Sequence, residues 1–226
     1  MNLTLIQSYW PSIESGLGTT ILLAAIVIGI STPLAFTVAL VRHVRMPVLS
    51  NLCAAYVYVF RALPALVVLF FAFYALPRLG LSLQPMTAAI VGMVLTSTAY
   101  VSEDFRGGLA AVGAGQWQAA DALGLGRVRT LRRIILPQAL PVMIPPFMTN
   151  AIITIKGTAI ASLVGLHELT GASMAAMSLT YSATDFLLTA AGLYLVLAGI
   201  LAVLQVAAEH HVTRRYRIRI IHTRLA

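Results

Sequence analysis

Charge is what this 226-residue chain has least of: Asp, Glu, Lys and Arg make up 10% of it, against about 25% in an ordinary soluble domain. A water-soluble globule needs a polar shell, so this scarcity excludes one, and 59% of the residues are hydrophobic. The single cysteine, Cys53, offers no disulfide or metal framework. No glycine-rich loop ending in Lys and Ser or Thr occurs, so the chain does not bind and hydrolyse ATP by that device. Its energy source is another chain or an ion gradient. No Ser, His and acid are spaced as a nucleophile motif, so no catalytic site is expected, and no internal repeat is found.

What the chain does have is long uncharged runs: Ser15 to Val41, Leu79 to Ser102, Ile134 to Ile155 and Phe186 to Ala208. Each reaches the roughly 20 residues that cross about 30 Å of hydrocarbon as a helix. The expected fold is an all-α integral membrane protein with five spanning helices, near 16–41, 52–76, 85–103, 138–155 and 185–208. The second rests on the uncharged stretches flanking Arg61 and Pro64. Residues 1–15 are expected as an external segment, 104–137 as a long loop, 157–184 as a partly re-entrant external segment, and 213–226 as a basic tail. The first hydrophobic run has no basic residue before it and is too long for a cleavable signal, so it is expected to remain as a helix.

The net charge is +8, and twelve of the fifteen Lys and Arg fall in the Arg42–Arg45 link, the Arg106–Arg133 loop and the Arg214–Arg224 tail. These are alternate connections. Placing all three in the cytoplasm satisfies the positive-inside rule, with the amino end outside and the carboxyl end inside. Orientation alone accounts for the basic charge, so no nucleic-acid partner is inferred.

The stretch from Gly115 to Gly124 reads as a short helix ended by glycine. Trp117, Ala120, Leu123 and Gly124 share one side of it at helical spacing, an aromatic knob beside small residues that suits a groove in a partner. Arg127 to Leu136 follows as a basic amphipathic piece, with Val128, Leu131 and Ile135 opposite Arg129, Arg132 and Arg133, and Pro137 opens the fourth span. The residues alone fit two readings, an interfacial helix lying among lipid headgroups or a docking surface.

Spacing separates them. Gln118-Ala119-Ala120, three residues, Gly124, nine residues, Ile134, one residue and Leu136-Pro137 resembles the EAA loop of binding-protein-dependent ABC importer permeases. Tyr100-Val-Ser-Glu103-Asp104-Phe-Arg106-Gly107, Leu136-Pro-Gln-Ala-Leu140, Lys156-Gly-Thr158 and Arg61-Ala-Leu-Pro64 resemble its polar amino-acid branch, over about residues 15 to 212. The resemblance implies a type I importer fold in the bacterial inner membrane, in which this chain moves a polar amino acid or a derivative such as an opine. It also implies an ABC ATPase dimer that binds the ATP and magnesium, a second permease subunit that is a homologue rather than a copy, and an extracytoplasmic substrate-binding protein. This chain itself would hold no cofactor. The loop would be the coupling helix, with Trp117, Gln118, Ala119, Ala120, Asp121, Leu123 and Gly124 as ATPase-docking residues. The chain departs from the pattern in having Gln118 for glutamate, Gly157 for an acidic residue after Lys156, and Thr149-Asn150 for Asn-Glu.

Ionisable residues inside spans are costly and mark function by default. Arg61 and Glu103 are expected to pair, as a structural bridge or a gate element. Lys156 either snorkels outward from the external end of its helix or faces the pathway. Pro141, Pro145 and Pro146 each remove a backbone donor from the fourth span, so Thr149, Asn150 and Thr154 line a substrate path or merely flank packing kinks. His167 and Glu168 are too few for zinc and read as capping residues. The alternative function is a stand-alone secondary transporter or channel for small polar solutes, which would need a mid-helix acidic or histidine relay and no docking loop.

Overall fold

The computed structural model describes residues 2–44 and 47–220, and every regular element in them is helical. Helix α1 spans Leu3–Val44, α2 Pro47–Ala62, α3 Ala65–Phe70, α4 Pro85–Ala111, α5 Ala114–Ala122, α6 Arg127–Thr130, α7 Leu136–Gly157, α8 Leu169–Thr180 and α9 Ala183–Ile220. By length and apolarity, α1, α4, the continuous run Arg127–Val164 and α9 can each cross a membrane, and α2 with α3 makes a fifth crossing if the bent pair counts as one.

Expected and observed boundaries differ at every span, for identifiable reasons. Helix α1 starts at Leu3 instead of 16 because residues 3–15 have core to bury: Ile13 is fully buried, and Tyr9 meets Phe186 of α9 edge to face at 5.6 Å. Helix α4 runs on from Glu103 to Ala111, since its charged residues find partners within the bundle. Helix α9 continues past 208 to Ile220 because no proline or glycine follows Gly199 in that stretch, so the expected tail is helical through 220, and 221–226 lie outside the described residues, as does Arg45.

The second span is not one helix. Helices α2 and α3 meet at 105°. Pro64 has no N–H to donate and its ring disfavours helical geometry at the residue before it. The α2 ladder therefore stops with Leu63 N–H on Val59 C=O at 3.0 Å, and the Pro64 carbonyl opens α3 by accepting from Val67 at 2.9 Å. Beyond α3 a π turn, Phe71–Ala75, and a 3-10 turn, Leu76–Leu79, complete the crossing.

Helix α4 is the centre of the bundle, packed along α1 on one side and α7 on the other, with α9 against α7. One core, around Leu23, Leu69, Ala89 and Val164, fills the end opposite the basic loop. A second, around Ala39, Phe105, Leu109, Ile135 and Met143, fills the basic end. Gly108 permits the α4–α7 crossing there: a Cβ on it would sit 2.3 Å from Met143 Cγ and 3.2 Å from the Ala139 carbonyl.

Residues 157–184 form a packed cap. The 3-10 turn Thr158–Val164 leads through Gly165 into α8, which buries Leu169, Ala172, Ser173 and Ala176 against α1 and α9. Glu168, fully buried, caps α8 by accepting from Gly171 N–H at 2.8 Å, and His167 Nε2 meets Ser12 Oγ at 3.1 Å. No group of three or more metal-ligating side chains gathers among the described residues.

Candidate functional site at the basic end

The loop after α4 is built by its glycines. Gly113, with ψ 144°, starts α5, and Gly124, at φ +66°, ends it. Leu125 N–H reaches Ala120 C=O and Gly124 N–H reaches Asp121 C=O, both at 3.0 Å. These two bonds are a Schellman closure. Gly126 then starts α6 by accepting from Thr130 N–H at 3.0 Å, and buried Thr130 leans its hydroxyl back toward the Gly126 carbonyl at 3.3 Å.

From α6 the chain enters α7 without a break, through a π turn at Leu131–Ile135. Pro137 was expected to open the fourth span, but the helix begins ten residues earlier at Arg127. The π turn explains the difference. Leu136 N–H bonds to Leu131 C=O, five residues back, and this widened register lets the helix pass a proline that has no donor to offer.

The knob faces inward. Trp117 is half-buried against α1, its ring 5.7 Å from the His43 ring, and its indole Nε1 is buried with no hydrogen-bond partner among the described residues. Ala120 is 1% exposed. The α5 face that carries these two seats the helix on its own subunit, so the sequence-based docking set divides between an inward face and an outward one. The outward face is Gln118, Ala119, Asp121 and Ala122, followed by Leu123 at 76% exposure and exposed Gly124. A cleft of about 370 Å³ runs beside Trp117 between the end of α1 and α6, with Leu40, His43 and Asp121 on its walls. Gln138 of α7 also reaches Gln116 of α5, Nε2 to Oε1 at 3.4 Å.

Glu103 does not pair with Arg61. Its Oε1 accepts from Arg42 Nη1 of α1, and its Oε2 accepts from Arg106 Nε at 3.1 Å and Nη2 at 2.6 Å. Arg61 instead lies over the Tyr100 ring, 5.4 Å from its centroid, where its charge also reaches Asp104. Helical phase accounts for this: Tyr100 and Asp104 are four residues apart and share a face toward α2, while Glu103 is turned toward α1. Arg42 is the partner that the sequence reading does not identify. Its clue was its place at the end of a helix running parallel to α4.

The proposed pathway residues do not converge. Thr149 is exposed on the α9 side, where Gln205 Nε2 approaches its Oγ1 at 3.5 Å. Asn150 turns to α4 and donates through Nδ2 to Asp104 Oδ2 at 2.6 Å. Thr154 is buried, its hydroxyl donating back to Asn150 C=O at 2.8 Å. Lys156 is exposed and has no ion-pair partner among the described residues.

A bundle of several apolar crossings, with a short helix seated on its basic end, defines an integral membrane protein. Residues 31–214 match the family described as the binding-protein-dependent transport system inner membrane component. The chain is 31% identical to the nopaline transport system permease protein NocM of Agrobacterium fabrum, covering 97% of this chain and 95% of that one. It is 36% identical to the probable glutamine ABC transporter permease protein GlnP of Bacillus subtilis, over 72% of this chain and 75% of that one. Among solved structures, an amino acid ABC transporter determined with histidines superposes with a TM-score of 0.86 at 27% identity, covering 93% of this chain and 99% of that chain. A chain of the MetNI methionine transporter, at 18% identity and a TM-score of 0.78, shares the fold.

The chain belongs to the binding-protein-dependent inner-membrane transport family. It is a multi-pass permease subunit of an ABC importer, working with a separate ATPase subunit and a substrate-binding protein. The stand-alone transporter reading does not fit these relatives.

Proposed function

We propose that the solute is a polar amino acid or an opine-type derivative, moved from the face that holds α8 toward the basic end. The relatives named for nopaline, octopine and glutamine support the substrate class. The clustering of Arg42, Arg106 and Arg127 to Arg133 at one end supports placing that end in the cytoplasm. The partners in this reading are an ATPase dimer holding ATP and magnesium at the basic end, a homologous second permease, and a binding protein at the opposite face.

The observation that carries the mechanism is α5. Trp117 and Ala120 seat it on the bundle, and Gln118, Ala119, Asp121, Leu123 and Gly124 are left open to a partner. Displacement of α5 by the closing ATPase would pass to α1 through His43, which neighbours the Arg42–Glu103 pair, and to α7 through Gln138. Rigid-body rocking of those helices is alternating access. Arg61, Asp104 and Asn150 then form a polar line across α2, α4 and α7, the best candidate for a gate that re-pairs between states. Thr149, Thr154 and Lys156 are secondary candidates for contact with solute.

The test is uptake of radiolabelled octopine, nopaline, glutamine and cystine by cells expressing this subunit with its ATPase, second permease and binding protein. The expected result is uptake of one of these solutes that disappears with an ATPase unable to hydrolyse ATP. Uptake that persists with the inactive ATPase would overturn the reading.

A further inference from the structure

The surface beside the docking helix has a second, different character. Arg127, Arg129, Arg132 and Arg133 are all exposed, and with Gly126 and Val128 they line a depression of about 860 Å³. None has an ion-pair partner among the described residues. No Asp or Glu occurs between Asp121 and Glu168. Arg129, Arg132 and Arg133 follow i, i+3, i+4 spacing, so they share a face. Val128, at 71% exposure, adds an apolar edge to the same rim. One residue beyond Arg133 begins the uncharged run Ile134 to Ile155, so the cluster stands where α7 enters hydrocarbon.

We propose that this depression binds the phosphodiester headgroup of an anionic phospholipid. Four unpaired guanidiniums present planar forks suited to phosphate oxygens. An exposed aliphatic side chain beside them fits the acyl boundary of a bilayer better than an aqueous protein surface. Arg129, Arg132 and Arg133 lie outside the cleft that Arg127 and Val128 share with Trp117 and Asp121, which leaves them in contact with lipid while α5 engages the ATPase. A bound lipid would hold the start of α7 at the membrane surface and give the loop a fixed pivot. The site is independent of which solute is carried.

The experiment uses the complete importer, purified with its ATPase, in nanodiscs with and without phosphatidylglycerol. Bound lipid is read by native mass spectrometry after delipidation. The wild type should retain phosphatidylglycerol over phosphatidylcholine, and excess inorganic phosphate should leave that retention unchanged. Each basic residue facing anionic lipid contributes about a fivefold factor, so R129Q/R132Q/R133Q should lose roughly a hundredfold in retention, while R129K/R132K/R133K keeps most of it. Equal retention of the two lipids by the wild type would overturn the proposal, and this arm needs no variant to fold. Displacement by inorganic phosphate would overturn it in favour of a free anion site. Loss of the ATPase from the glutamine variant in every lipid would overturn it in favour of a protein interface.

Discussion

Tyr194 of α9 donates its hydroxyl to Glu168 Oε2 at 2.7 Å, and through that bond the cap at one end of the bundle is tied to the least buried of the spanning helices. Thr20 of α1 reaches the same oxygen at 3.3 Å, so three segments converge on one buried carboxylate. Hydrogen bonds to a charged group are worth about 1.5–3 kcal/mol each, and a buried acceptor left unsatisfied costs more. Tyr194→Phe should lower the melting temperature of the detergent-solubilised complex, and Glu168→Ala should lower it further. Equal melting temperatures for both variants and the wild type would show that the cap is held by apolar packing alone.

Glu103 should couple to Arg42 and not to Arg61. In a double-mutant cycle on stability, Glu103→Gln with Arg42→Gln should show an interaction of about 0.5–3 kcal/mol, and Glu103→Gln with Arg61→Gln should be additive within about 0.5 kcal/mol. An interaction confined to the Arg61 pair would reverse the assignment.

Substitution of Leu123 by Asp should leave membrane insertion and stability nearly unchanged, within about 0.5 kcal/mol, because the side chain is exposed on its own subunit. Recovery of the ATPase on affinity purification and uptake should both fall at least tenfold if it meets the partner. Trp117→Ala should behave differently, lowering stability as well, since the ring packs against His43. Identical profiles for the two variants would contradict the inward placement of the indole.

Gly124→Val tests the turn. Nothing lies within 4 Å of a Cβ there, so the penalty is backbone conformation at φ +66°, about 1–2 kcal/mol for a residue with a Cβ. Since the strain acts on the end of α5, ATPase recovery should drop while the amount of protein in the membrane holds. Gly124→Asn, which tolerates that region, should retain most activity.

Gly108→Ala should destabilise the α4–α7 crossing by about 1–3 kcal/mol through overpacking. Met143→Ala should restore part of that loss, because Met143 Cγ is the atom the new methyl would strike. No rescue would place the strain at the Ala139 carbonyl instead.

The spans and the short helix after α4 were legible in the sequence because both are written in local signals: uncharged run length for the first, glycine placement for the second. Where helices stop was not, since α1 and α4 extend through residues whose burial or charge pairing is set by neighbours far along the chain. The Pro64 break announced itself as a proline but not as a 105° bend, since the angle depends on what α3 packs against. Periodicity placed Trp117 and Ala120 on one face of α5. It could not say which way that face turned, and only the position of His43 decides it. Arg61 and Glu103 lie near the same end of antiparallel spans, which suggests a pair; the four-residue step from Tyr100 to Asp104 is the signal that directs Arg61 elsewhere.

The π turn at Leu131–Ile135 also sets an angular phase. It holds one residue more than an α-helical turn would, and one residue is worth about 100° of rotation and 1.5 Å of rise. The wide turn therefore absorbs a residue that a regular helix would have converted into rotation. Removing one residue from the turn would let it close as an ordinary α-turn with the docking helix in place, whereas removing one from the α-helical stretch that follows, Leu136–Gly157, would swing the arginine face and the docking helix by about 100° about the α7 axis.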